Sequence, residues 1–382
     1  MGMLVNGRWQ DSDLETFQRN DKQVRFRNGF HDQVKRNRTT AYLPQANRYL
    51  LYVNVTCPWS HRTTLTRKLK GLSNVVEIVY LEPVMGRESW WFGESNQYRD
   101  PALNATHLHE LYSATDPNFT GRVSIPVLWD KKTKKIVNND SAQIARMFNF
   151  EFNEIAEYPE IDFYPLENRD EIDHLNNLVA ENLNDGVYRC LLARNQQLYE
   201  EAYDSIFHTL DYLEERLTSK RYLVGQLPTE PDWRFFSFLI RFDTVYYSLY
   251  NCNRKRISDY PSLSSYTKDL YQISGVAETV DLDGIKRGYF LTVNSNGIVP
   301  KGPDIDLLSA HLRETFSGWK GEINHNDNKK ERWGIRKIAH IHKAQTSPFF
   351  CPRIERTGRQ KLLISIHQST MYYWRSKLVL DR

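Results

Sequence analysis

The chain has 382 residues, of which 40% are hydrophobic and 13% aromatic, and four cysteines. That length suggests two or three domains and that composition a packed fold rather than a disordered one. The net charge of +4 divides unevenly: residues 320–382 hold 14 Lys and Arg against 5 Asp and Glu, and the rest 37 against 42. The mildly acidic body excludes a nucleic-acid footprint, which needs basic residues concentrated on a folded face. No apolar run approaches the ~20 residues of a membrane helix, so no membrane partner is expected. Met1 to Arg8 is too short and polar for a secretory core, and Asn6 stands where a myristoylation signal needs Ser or Thr.

Residues 1–46 are polar and read as an N-terminal arm. Arg48 to Asn54 is aromatic and apolar, the signature of a buried strand. Pro58 suits a helix start, Ser60 to Lys70 reads as that helix, and Gly71 closes it. Asn74 to Leu81 is a second strand, which completes a βαβ unit. Residues 82–121 form a polar and aromatic insertion. Ser124–Trp129 and Lys135–Asn138 flank a turn and read as a hairpin, followed by a helix from Ala142 to about Asn149. This order is thioredoxin-like over residues 47–150, with Pro126 in the position that is usually cis. Over residues 165–300 the pattern is helical: Ile172, Leu175, Leu178, Val179 and Leu183 recur at spacings of three and four, as do Ile206, Leu210, Leu213 and Leu217. Thr229 and Asp232 form a capping box that opens a further helix through Tyr246. The expected fold is α/β followed by all-α: a thioredoxin-like domain, an all-helical domain, and a C-terminal extension over 301–382, basic from 320.

The cysteines are Cys57, Cys190, Cys252 and Cys351. They are too sparse for a disulfide scaffold and match no zinc pair, so no metal is assigned and a reducing, cytoplasmic setting is expected. Cys57-Pro58-Trp59-Ser60 lies between the first strand and the first helix. A thiol there meets helix N–H groups and the positive end of the dipole, an arrangement that favours a thiolate nucleophile. His61 and Arg62 are candidates to add positive field. A dithiol reagent resolves its own mixed disulfide with a second cysteine, but Ser60 stands in that place. An external thiol must finish the reaction, and glutathione is the abundant candidate. Cys190 and Cys252 read as packed small hydrophobes, and Cys351 is assigned no role.

Cys57-Pro58-Trp59-Ser60-His61-Arg62-Thr63 with Arg67 to Leu72 resembles the CPWAHRT and LKGL motifs of the glutathionyl-hydroquinone reductases, also called xi-class glutathione transferases. Gly121 to Asp130, Ile136 to Ser141, Asn184 to Tyr188, Leu239 to Tyr246 and Gly275 to Tyr289 carry further motifs of that family, and the resemblance spans about residues 1–310. It implies that Cys57 takes glutathione from a glutathionyl-hydroquinone as a mixed disulfide. A second glutathione then clears that adduct as glutathione disulfide. It places Tyr188 and Tyr289 at the catalytic tyrosine positions and Tyr246 as a third substrate tyrosine.

For glutathione, the co-substrate, the resemblance and the chemistry of the peptide imply Ile125 for the backbone pair, Asp140 for the ammonium and Ser141 for the γ-glutamyl carboxylate. Arg122 and Trp90 would also contact the peptide, with Trp91 the alternative to Trp90. Asp140 and Ser141 also read as the N-cap of the following helix. A homodimer is implied by the resemblance alone. The chain departs from the family at Ser60 (Ala), Asp140 (Glu), Gly29 (Trp), Gly284 (His), Cys190–Leu192 and Leu291–Val293. Two other readings stay open at this point. One is an omega-like thioltransferase or dehydroascorbate reductase. The other is a non-catalytic transferase-like protein scaffold.

Overall fold

The computed structural model describes residues 2–11, 29–294 and 296–315. The basic stretch from 320 and Cys351 lie outside the described residues. The heart of the first half is a four-stranded sheet in the order β4-β3-β5-β6, with β3 Tyr49–Val53, β4 Val76–Tyr80, β5 Val127–Asp130 and β6 Lys135–Asn138. β3 runs parallel to β4 and antiparallel to β5, with Leu51 opposite both Ile78 and Leu128. The parallel pair requires a crossover, which helix α1 (Pro58–Leu69) supplies.

All five β3 residues are buried. Side chains alternate across a strand, so Leu50 and Tyr52 enter one core and Tyr49, Leu51 and Val53 the other. The second core is closed by Ile144, Met147 and Phe148 of α3 (Ser141–Phe150). The first is closed from within the insertion, by Trp90 and by Leu108, Leu111 and Tyr112 of helix α2 (Leu108–Thr115). The polarity of residues 82–121 hides this helix, which turns a narrow apolar face to the sheet. The polar reading of residues 1–46 likewise hides a hairpin, β1 Met3–Val5 and β2 Arg8–Gln10. Its turn places Asn6 and Gly7 at positive φ, as a tight reversal demands, and Leu4 inserts into the first core.

Gly71 ends α1 with φ +68°, and a Cβ there would meet Glu157 Cβ at 2.4 Å. Glycine is therefore required both by conformation and by space.

The helical half begins at α4 (Arg169–Leu178), whose last turns widen into π geometry over Val179–Asn184. It continues through α5 (Gly186–Leu192), the long α6 (Gln196–Ser219) and α7 (Glu230–Arg241). α7 runs into a second π segment, Phe242–Tyr246. Then come α8 (Tyr247–Leu249), α9 (Pro261–Gln272) and α10 (Leu282–Val293). Leu65 and Leu69 of α1 bury into this helical core, which joins the halves. Arg146 of α3 adds a charged tie, forking onto Glu230 at 2.9–3.2 Å and reaching Asp173 at 2.7 Å. Among the described residues no helix is long and apolar enough to cross a membrane.

Candidate active site

Cys57 is the N-cap of α1, with extended backbone (φ −80°, ψ 119°), and Pro58 follows in the first turn, where its missing N–H is no loss. The first turn of α1 holds no acidic residue. Ser60 N donates to Cys57 Sγ at 3.4 Å. On its other side the thiol faces the carbonyl of Ile125 at 3.9 Å, and the Ile125–Pro126 bond is cis. Helix dipole, amide and cis-proline strand thus converge on one sulfur. Among the described residues the buried Ser60 hydroxyl has no hydrogen-bond partner, and as a hydroxyl it cannot resolve a mixed disulfide.

The positive field around this sulfur does not come from His61. That ring is buried, and desolvation together with the Arg241 charge holds it well below its ordinary pKa of 6.5, so it is neutral. Arg241 Nη1 donates to His61 Nδ1 at 3.0 Å, which puts the ring hydrogen on Nε2, 3.0 Å from Thr279 Oγ1. The expectation of a cationic His61 is corrected accordingly: burial removes its charge. Burial lowers Arg62 from its ordinary value, with the Asp140 and Glu230 charges opposing that, and its guanidinium lies on the Ser141 hydroxyl. Arg241 brings a second guanidinium to the loop before Cys57, although sequence reasoning missed it. It is 1% exposed and donates to the carbonyls of Val55 and Thr56, each at 2.8 Å, just before the cysteine.

The residues assigned to glutathione fall into two groups. Trp90 and Ile125 pack in the same buried core as Cys57. Trp91 is not in that core; its indole donates to Val84 O at 2.8 Å. Arg122 is half-buried on the extended stretch leading into Ile125. Asp140 caps α3, accepting from Ala142 N at 2.8 Å and Gln143 N at 3.0 Å through one oxygen, Oδ1. The Ser141 hydroxyl accepts from Arg62 Nε at 2.9 Å and also from Nη2. A hydroxyl, a guanidinium and the start of a helix form an anion cradle there.

Arg234, which sequence reasoning also missed, extends this cradle. Pro58, Trp59, Arg62, Asn184 and Arg234 line a shallow groove. Burial and the neighbouring Arg62 push Arg234 down to about 9, still charged at neutral pH, and an anion between the two would relieve their repulsion.

The tyrosines form a separate cluster. Tyr188 Oη lies 2.8 Å from Tyr289 Oη, and Tyr246 Oη lies 3.3 Å from the same oxygen. Burial pushes all three phenols up, and they stay protonated donors. Tyr188 stacks on Trp59 at 5.6 Å, and Trp59 packs against both the helical core and the Cys57 core. Trp59 therefore joins the tyrosine cluster to the core that holds Cys57. Tyr250 joins the cluster, its ring 5.4 Å from Tyr188 and 5.9 Å from Tyr289. Its position four residues after Tyr246, on the same face of a helix, was the signal that could have found it. Gly288 lets the helix bearing Tyr289 lie this close: a Cβ there would meet Thr56 Cγ2 at 2.1 Å and Pro83 O at 2.6 Å.

Comparison with known proteins shows the family. The family model for the glutathione S-transferase N-terminal domain matches residues 56–158, and that for the C-terminal domain matches residues 196–269. The glutathionyl-hydroquinone reductase PcpF of Sphingobium chlorophenolicum is 40% identical over 307 residues, covering 79% of this chain and 96% of that protein. The glutathionyl-hydroquinone reductase YqjG of Escherichia coli strain K12 is 38% identical over 329 residues, covering 83% of this chain and 100% of that one. The glutathione-bound structure of YqjG superposes with a TM-score of 0.74 at 37% identity, covering 82% of this chain and 99% of that chain. The xi-class transferase of Natrialba magadii superposes with a TM-score of 0.78, also at 37% identity, covering 83% and 98%. The chain belongs to the glutathionyl-hydroquinone reductases, the xi class of the glutathione transferases.

Proposed function

We infer that this chain reduces glutathionyl-hydroquinones with glutathione as co-substrate. The observation that carries the reading is a helix-capping thiol, with Ser60 in place of a resolving cysteine, whose core is joined through Trp59 to a buried cluster of phenol donors. The Cys57 thiolate attacks the glutathione sulfur of the conjugate. The carbon–sulfur bond breaks, the Cys57–glutathione disulfide forms, and the ring carbon takes up one proton. A second glutathione thiolate then attacks the glutathione sulfur of that adduct, giving glutathione disulfide and returning the Cys57 thiolate.

Tyr289 and Tyr188 serve the first step. As neutral phenols they donate hydrogen bonds to the quinol oxygen, which holds the ring in the tautomer that accepts the proton at carbon. Tyr246 supports Tyr289 from behind. Ile125 offers its backbone to the cysteinyl unit, while Trp90 and Arg122 flank the peptide. Asp140 takes the ammonium through the carboxylate oxygen that the cap does not use, and Ser141 with Arg62 takes the γ-glutamyl carboxylate. The glutathione-bound structure of YqjG supports a glutathione site on this fold. The chain acts as a homodimer in this reading, by likeness to the family.

The test compares turnover of a glutathionyl-hydroquinone with that of a small dialkyl disulfide, both with glutathione. The conjugate should be preferred by at least about a hundredfold in kcat/KM, the scale of positioned acid–base help. Equal turnover would instead make this an omega-like thioltransferase.

A further inference from the structure

The insertion holds a group of side chains that the glutathione chemistry does not use. Glu88, His107 and His109 each bring one ligand atom into a space where all three lie within 4.8 Å of one another. We propose that they form a site for a first-row divalent transition ion of the zinc type, which no part of the sequence reading assigned. Two imidazoles and one carboxylate are the donor set such ions take, and three protein ligands leave one position open to water.

The site is built rather than accidental. His109 Nε2 lies 2.8 Å from Glu88 Oε2, so two of the ligands already meet. The rings of His107 and His109 stack at 5.2 Å and 13°, and the Trp9 indole stacks on the far side of His109 at 5.1 Å and 22°. That packing fixes the orientation of the second imidazole.

His107 is held from outside the group. Thr106 Oγ1 lies 2.9 Å from His107 Nδ1 and donates its one hydrogen to Glu110 Oε1 at 2.8 Å. A hydroxyl backed by a carboxylate beside the ring is the kind of outer support that metal-binding histidines use. The Glu88 side chain is 41% exposed and that of His109 13%, so an ion can enter from solvent while one imidazole stays anchored.

The backbone gives the ion a mechanical role. Glu88 lies on the turn closed by Gly86 N to Ser89 O at 2.9 Å. Trp91 bridges to His107, and Leu108 N donates to Trp90 O at 2.9 Å. An ion across Glu88, His107 and His109 would lock this turn to the start of α2. Trp90, two residues after Glu88, packs in the core of Cys57. The ion would thus stiffen the wall of the glutathione site without touching the reacting sulfur.

Cobalt(II) tests this on the full chain, because its spectrum reports both occupancy and ligand type. The parent should take up one equivalent with visible d–d bands and without the near-ultraviolet band that a thiolate ligand adds. Glu88→Gln and His109→Gln, each confirmed folded by circular dichroism, should bind cobalt at least about a hundredfold more weakly. Cobalt should also raise the melting temperature of the parent but not of the variants. The proposal is overturned if the parent binds no cobalt, if its first equivalent carries the thiolate band, or if both variants bind as the parent does.

Discussion

Arg241 Nε donates to the carbonyl of Thr56 at 2.8 Å, and 185 positions separate the two residues in sequence. The same guanidinium reaches Val55 O at 2.8 Å and Ser237 O at 2.6 Å. The loop that presents Cys57 is therefore held by a charge delivered from the helical half.

Arg241→Met should accordingly damage stability and activity together. Leaving buried carbonyls without donors costs about 3 kcal/mol in total. A displaced Cys57 loop should lower kcat/KM roughly a hundredfold. Urea unfolding and steady-state kinetics on the same samples check this. A variant that loses stability but keeps full kcat/KM would show that Arg241 acts on the fold alone.

The neutrality of His61 makes a pH prediction. Its folded pKa lies well below the ordinary 6.5, so between those two values the unfolded chain binds the extra proton. Stability must then rise with pH through that window, and it falls as acid is added below 6.5. The slope from this one residue is about 1.4 kcal/mol per pH unit. His61→Gln keeps an acceptor for Arg241 and a donor for Thr279 but cannot titrate. Urea midpoints measured between pH 5 and 7 should fall less steeply with acid in the variant than in the parent. Parallel curves would mean that His61 is already charged in the folded state.

Sequence was a good guide where chemistry and local geometry coincide. Cys57 is legible because strand, Pro58 and helix lie within a dozen residues, and Pro126 is legible because it opens the strand that faces the cysteine. Arg241 and Arg234 were not, since their partners Thr56 and Arg62 lie more than 170 positions away and no local pattern announces a long-range contact. The charge of His61 was misjudged because burial, not residue type, decides protonation. Helix α2 was hidden for a related reason: the apolar face of Leu108, Leu111 and Tyr112 is only three residues wide.

The capping duty of Asp140 and its proposed duty toward glutathione separate by substitution. Asp140→Asn keeps an N-cap acceptor and removes the charge. Its melting temperature should stay near that of the parent, while KM for glutathione rises about tenfold, the effect of one lost ion pair worth about 1.4 kcal/mol. Asp140→Ala should add a stability loss of about 1 kcal/mol. An unchanged KM in Asp140→Asn would assign the residue to capping only.

Tyr289 Oη meets the hydroxyls of Tyr188 and Tyr246 at 2.8 and 3.3 Å, and Tyr289→Phe removes both contacts. Stopped-flow release of hydroquinone should slow roughly a hundredfold. Clearance of the mixed disulfide by glutathione, which needs no proton at carbon, should change little. Equal slowing of both steps would assign Tyr289 to packing.

The central claim is that Cys57 carries glutathione covalently. Intact-protein mass spectrometry after mixing with glutathionyl-hydroquinone, without free glutathione, tests it most directly. One glutathione should add to the chain, map to Cys57, disappear on adding glutathione, and never form in Cys57→Ala. An adduct that persists in Cys57→Ala, or hydroquinone release with no adduct on Cys57, would contradict the account.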